Sequence, residues 1–285
     1  PVRLRTFDPF GEHRASDEDG GPSGSLSLVW TLAPGLNLYG TLASQYSIVS
    51  ALAGDVAADN VRNGTWYADG ELREVGLKTE ALDGRLFAAA AVYEQERVAF
   101  DSQNPVNNRA TRARGVELEA RWQVTERLLL LGQYTRTRVD VLEPDGVTFS
   151  FLGAANLPQV DPALLYGGIL SADVPVPAST PRGGIPEHTA GLAAHVRWTE
   201  RLATSLSWLS VDPVQAGVLP GVVLPAYDLV GLDVTYRTPR WEAALRLENL
   251  TDERYFRANF PGLFGNNVVL PERPFHWEVS VTVHL

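Results

Sequence analysis

The chain has 285 residues, 45% of them apolar and 20% charged, with a net charge of −10 at neutral pH. Such a length suits one large β domain or two smaller ones, and the apolar content excludes a disordered chain. The acidic balance speaks against a general nucleic-acid partner, which needs clustered Lys and Arg. The absence of cysteine removes disulfides, thiol chemistry and thiolate metal sites.

No apolar run reaches the roughly 18 residues of a spanning helix, so only strands are left as a way across a membrane. The chain opens at Pro1 without an initiator Met or signal peptide, as expected of a fragment or a processed product. Residues 1–23 read as a loop, with Asp17-Glu18-Asp19 as a solvated acidic turn. Leu26, Leu28, Trp30 and Leu32 then alternate with Ser25, Ser27 and Thr31 up to a short turn at Ala33-Pro34-Gly35. A long segment at 48–70 follows, then a short turn at Leu82-Asp83-Gly84 and a long segment at 99–111. Val116, Leu118, Ala120 and Trp122 alternate with Glu117, Glu119 and Arg121 before the short turn at Val124-Thr125-Glu126-Arg127. A long segment at 141–186 precedes the short turn Thr199-Glu200-Arg201, and another at 213–224 precedes Leu232, Val234 and Tyr236, set against Asp233, Thr235 and Arg237. After the turn Thr238-Pro239-Arg240, Trp241, Ala243, Leu245 and Leu247 alternate with Glu242, Arg246 and Glu248. The long segment 254–272 leads to a last strand, 277–285, apolar at every odd position.

This is about eleven strands, each near the roughly 9–11 residues of a tilted membrane strand. Short and long connections alternate strictly. Up-and-down neighbours therefore put all short turns at one end and all long loops at the other, as in outer-membrane barrels. A period of two gives each strand one apolar and one polar face; in such a barrel the first meets lipid and the second the lumen. Trp30, Trp122, Trp198, Tyr236 and Trp241 all lie close to a short turn on the apolar face, where a bilayer interface favours amphipathic rings. Tyr46, Tyr93, Tyr134 and Tyr227 sit near the other strand ends, as expected of an outer girdle.

Glu74-Val75-Gly76-Leu77-Lys78 followed by Leu82-Asp83-Gly84-Arg85-Leu86 reads as an E-x-G-x-K hairpin, and Ala113-Arg114-Gly115-Val116-Glu117-Leu118-Glu119 as a G-x-E-x-E strand. Together with Ile185-Pro186-Glu187-His188-Thr189, Leu224-Pro225-Ala226-Tyr227-Asp228-Leu229-Val230 and Glu248-Asn249-Leu250-Thr251-Asp252-Glu253-Arg254-Tyr255-Phe256, these segments resemble, in the same order, motifs of the TonB-dependent outer-membrane receptors. The chain departs from the family in ending at Leu285 rather than an aromatic residue. No plug domain and no TonB box is found in it. The resemblance implies an all-β, antiparallel, up-and-down transmembrane β-barrel in the bacterial outer membrane. Residues 1–285 would supply about eleven of 22 strands, with short periplasmic turns and long extracellular loops. It implies active import of a scarce bulky nutrient, most often a ferric siderophore, with the TonB complex engaged through the N-terminal plug and outer-membrane lipid around the wall.

No nucleophile elbow, phosphate loop or triad supports catalysis, and no cofactor is expected. The five histidines, His13, His188, His195, His276 and His284, show no zinc spacing; His195 and His284 read as ordinary residues of the polar face. Asn63-Gly64-Thr65 and Asn249-Leu250-Thr251 match the glycosylation pattern by chance. Arg109, Arg112 and Arg114 cluster at an outer strand end, where a cationic rim would focus an anionic ferric chelate but where charges at headgroup level are also ordinary. Arg257, Asn259, Phe260, Phe264 and Asn266 are candidates of the same standing for a ligand vestibule, because a Gly- and Asn-rich loop exposes aromatics there. The loops at 48–70, 141–186 and 254–272 are expected to contribute to that vestibule. Other readings remain open at this point: a passive porin, a soluble β-structural or adhesive domain, and an outer-membrane enzyme.

Overall fold

The computed structural model describes residues 2–8, 11–18, 20–48, 61–62, 64, 66–99, 109–142, 145–151, 170–176, 178–179, 181, 183–215, 223–261 and 267–284. In chain order its strands are β1 (Val2–Asp8), β2 (Gly11–Asp17), β3 (Gly24–Ala33), β4 (Leu36–Ile48), β5 (Tyr67–Ala81), β6 (Leu86–Ala99), β7 (Arg109–Thr125), β8 (Leu128–Val141), β9 (Asp145–Phe151) and β10 (Leu170–Val176). Then come β11 (His188–Arg197), β12 (Leu202–Val211), β13 (Val214–Gln215), β14 (Val223–Leu224), β15 (Tyr227–Arg237), β16 (Trp241–Glu248), β17 (Phe256–Pro261), β18 (Asn267–Pro271) and β19 (His276–Val283).

Eleven of these form one antiparallel sheet, in the order β3-β4-β5-β6-β7-β8-β11-β12-β15-β16-β19. Every neighbour in space is the neighbour in sequence once the hairpins are set aside, which is up-and-down topology. The other eight strands pair as four separate hairpins, β1–β2, β9–β10, β13–β14 and β17–β18. Three interrupt long connections and one precedes β3. Four of the segments read from sequence as loops are therefore partly β-structured. Their strands are seven residues or shorter and lie in long Gly- and Pro-bearing segments, which outweigh the alternation that β9 and β10 carry in Val147, Phe149 and Phe151 and in Leu170, Ala172 and Val174.

The five short turns all fall where the sequence puts them, and three share one device. Thr125 Oγ1 accepts from the amides of Arg127 and Leu128 at 3.2 and 3.1 Å. Thr199 Oγ1 does so from Arg201 and Leu202 at 3.2 and 3.0 Å, and Thr238 Oγ1 from Arg240 and Trp241 at 3.3 and 3.0 Å. A hydroxyl that takes the turn's own amides closes a short connection without a ladder partner. The β3–β4 turn uses Gly35 instead, at φ +75°, where a Cβ would lie 2.1 Å from the Glu80 carbonyl oxygen.

The pairing register makes the two faces continuous. On one, Leu26, Leu42, Val75, Val92 and Leu118 recur from strand to strand, and Leu206, Val279, Val281 and Val283 carry the same phase to the far edge. These side chains are exposed; Leu28 and Trp277 keep 69% and 64% of their surface open. The other face carries Glu117, Glu119, Arg121 and Asp233. A soluble sandwich buries its apolar face against a second layer, but here nothing among the described residues covers it. The buried apolar residues among those described, Ala15, Val61, Trp66, Val141, Val211 and Leu224, all sit at the long-loop end.

Aromatics near the short turns, Trp30, Trp122, Trp198, Tyr236 and Trp241, are all exposed on the apolar face, and the Tyr236 and Trp241 rings meet at a tilt of 35° with centres 5.5 Å apart. At the opposite end the girdle reading needs correction. Tyr46 and Tyr134 share the apolar phase, but Tyr93 lies opposite Gly115 and Tyr227 opposite Val211, on the polar phase. Tyr93 packs over Gly115 and its hydroxyl meets Thr137 Oγ1 at 2.7 Å. Position near a strand end set the expectation; parity decides the face. Of the acidic residues expected in a solvated loop, Glu18 is exposed and Asp19 lies outside the described residues, but Asp17 Oδ2 accepts from the buried Trp66 indole at 2.8 Å, so this carboxylate holds the hairpin β1–β2 to the segment before β5.

Candidate functional site

The long-loop end gathers the hairpins, and its best-defined part is the β16–β19 connection. Asn249 is buried and sits at φ +52°, a conformation its short amide side chain tolerates. Its Nδ2 donates to the carbonyls of Glu253 and Arg273 at 2.9 and 3.2 Å, and its Oδ1 accepts from the Glu253 amide at 2.8 Å. Asp252, also at φ +52°, accepts from the Phe275 amide at 2.9 Å. Together they clamp the two legs of the connection where β17 and β18 leave the sheet. Beside this clamp the Tyr227 and Tyr255 rings meet at a tilt of 41° with centres 4.7 Å apart, and Arg257 pairs with Glu272 across the hairpin at 2.9 Å.

The expected vestibule residues separate into two groups. Arg257 stands on β17, and Asn259 and Phe260 fall in the irregular stretch of that strand between Ala258 and Pro261. Phe264 and Asn266 lie outside the described residues. Arg109 opens β7 opposite Ala99. Arg112 and Arg114 share the phase of Val116, Leu118 and Trp122, which is the apolar face, and each is bound by a carboxylate of β6, Glu96 and Glu94. The structure does not bring this pair of arginines together with the β17 residues. Sequence reading named the Asn249 segment only as a motif; the clamp role of Asn249 and Asp252 has a sequence signal, two left-handed-tolerant residues three apart between apolar runs.

His195 Nδ1 meets Ser205 Oγ at 2.9 Å on the polar face, and Tyr134 Oη meets His188 Nδ1 at 2.6 Å. Neither contact arranges a nucleophile with a base and an orienting acid.

Comparison with known proteins agrees with this architecture. Residues 2–250 match the family model described as TonB dependent receptor-like, beta-barrel. The ferric-pyoverdine M114 receptor PbuA of Pseudomonas sp. (strain M114) is 26% identical over 211 residues, covering 69% of this chain and 22% of that protein. Among solved structures, the siderophore receptor PiuA from Acinetobacter baumannii superposes with a TM-score of 0.74 at 15% identity, over 98% of this chain and 38% of that one. The ferric yersiniabactin uptake receptor FyuA from Yersinia pestis gives 0.65 at 17%, over 96% and 38%. The chain thus spans well under half the length of these relatives. With its up-and-down sheet, its uncovered apolar face and a family match over most of its length, this chain belongs to the TonB-dependent receptor β-barrel family.

Proposed function

We propose that residues 1–285 form the C-terminal part of the wall of an outer-membrane receptor that imports a ferric siderophore with energy from the TonB complex. The observation that carries this is the uncovered apolar face of an eleven-stranded sheet, in a chain of this family. In the whole protein the sheet is continued by further strands to a closed barrel of 22, around a plug supplied by the N-terminal part. Apolar residues meet outer-membrane lipid, and the charged face meets plug and water. The proposed vestibule lies at the long-loop end and includes Arg257, Asn259 and Phe260 of hairpin β17–β18; Phe264 and Asn266, outside the described residues, are proposed as further members. Arg109 stands at the rim.

The test is uptake. The intact receptor, expressed in an iron-limited host stripped of its own siderophore receptors, is expected to import a radiolabelled ferric siderophore from a panel of pyoverdine and catecholate types, and to stop when TonB is deleted. Solute permeation that ignores TonB would instead identify a passive pore and overturn the proposal.

A further inference from the structure

His276 opens β19 and stands opposite Glu248, the last residue of β16, at the long-loop end of their ladder. Both nitrogens of its ring face acceptors: Nε2 lies 2.7 Å from the Glu248 carboxylate, and Nδ1 lies 3.0 Å from the Pro274 carbonyl oxygen. Neither a carbonyl nor an ionised carboxylate donates, whereas a neutral imidazole has one N–H and one lone pair. Only the imidazolium completes both contacts. In either neutral tautomer a ring lone pair would face an oxygen lone pair. His188 and His195 differ, since each meets a hydroxyl at Nδ1, a partner that gives or takes a proton as required.

Among the described residues Glu248 is the ring's ionic partner, and the other charged groups nearby are engaged elsewhere. On β16, Arg246 touches Glu248 at 3.9 Å but pairs with Asp233 of β15 at 3.0 Å; opposite Arg246 on β19 is Glu278. In the connection, Glu272 is held by Arg257 at 2.9 Å and Asp252 by the Phe275 amide at 2.9 Å. Glu253 and Arg273 enter through their main chains, bound by Asn249. Three consecutive residues of the return leg are thus tied to the strand they came from: Arg273 through Asn249, Pro274 through the His276 ring and Glu248, and Phe275 through Asp252. The Asn249 tie is indifferent to pH. The Pro274 tie runs through the side chain type that changes charge between about pH 5 and about pH 8.

We propose that His276 is a proton-operated brace: its imidazolium steadies the base of hairpin β17–β18 in mild acid, and its neutral form lets that base loosen as pH rises. Two of the three ties persist when the ring is neutral, so the connection slackens without coming apart. Strands β17 and β18 pair with each other and with no strand of the large sheet, so their base governs how firmly the whole hairpin is held. The bearing on ligand capture rests on the vestibule proposed above. The brace itself rests only on contacts among residues 248–276.

The experiment is electron paramagnetic resonance of the intact receptor in lipid, free of other reactive thiols, with a nitroxide on a cysteine replacing Leu270, which is exposed on β18. From about pH 5.5 to about pH 8 the mobile fraction of the label is expected to rise at least about twofold. A label placed instead by Thr282→Cys, at the far end of β19, is expected to show no such rise. His276→Gln, which cannot become an imidazolium, should hold the Leu270→Cys label at its more mobile level throughout. Glu248→Gln, whose amide accepts or donates, should flatten the response. Heat-modifiable migration verifies that each variant is folded. A wild-type signal that ignores pH or moves the other way, a rise that persists in either variant, or an equal rise at the Thr282→Cys label overturns the proposal. No ligand enters this measurement, whereas the import reading fails on uptake, so the two failures are distinguishable.

Discussion

Asn249 concentrates more structural consequence than any other polar side chain described, because it is buried and satisfies three backbone groups at once. Asn249→Ala strands those groups and should destabilise the intact receptor by about 1–3 kcal/mol, read as a shift in urea unfolding in lipid. Gly115 makes a different demand. A Cβ there would come within 2.6 Å of the Tyr93 ring and 2.7 Å of the Arg136 carbonyl oxygen, so Gly115→Ala should cost about 1–3 kcal/mol by overpacking. Adding Tyr93→Ala should restore only part of it, since the carbonyl belongs to the backbone. Glu187, just before β11, is held below its ordinary carboxylate range by the Arg136 guanidinium. A carboxyl lowered in the folded state stabilises it above the unfolded value, about 4.3, and loses that contribution as pH falls through the folded value. The stability difference between wild type and Glu187→Gln should therefore shrink between about pH 6 and about pH 3.

At the scale of elements, period-two alternation was enough to locate all eleven strands of the sheet and their short turns. Each such strand has one face in an apolar surface, and that constraint is written residue by residue. The four hairpins are not legible, because β1, β2, β9, β10, β13, β14, β17 and β18 are seven residues or shorter and lie in long segments rich in turn residues, where even the alternation of β9 and β10 does not stand out. Parity, not closeness to a strand end, separates Tyr134 from Tyr93, and the same count puts Arg112 and Arg114 on the apolar phase. The vestibule candidates depend on a loop, where sequence supplies composition but not geometry. If hairpin β17–β18 forms part of the vestibule, replacing 256–271 by a short turn should lower ferric siderophore affinity by about tenfold or more while assembly persists. Unchanged binding to cells would remove the hairpin from the account.

For the whole molecule, the pattern of exposure is the central fact. An aqueous protein leaving Leu26, Leu28, Trp30, Trp277, Val279, Val281 and Val283 open along one face would present an aggregating surface; in lipid the same face is satisfied. Leu118→Arg, near the middle of the band, should cost about 2–4 kcal/mol, against little for a polar change at Glu119 on the other face, as measured by unfolding in bilayers. The most direct test of the account uses the chain's lack of cysteine: single cysteines placed in turn at 277–283 of an intact receptor free of other reactive thiols, spin-labelled and reconstituted in bilayers. Collision with oxygen is expected to dominate at Trp277, Val279, Val281 and Val283, and collision with a water-soluble nickel chelate at Glu278, Ser280 and Thr282. The reverse alternation, or uniform access to the chelate along the strand, would contradict a sheet whose apolar face meets lipid.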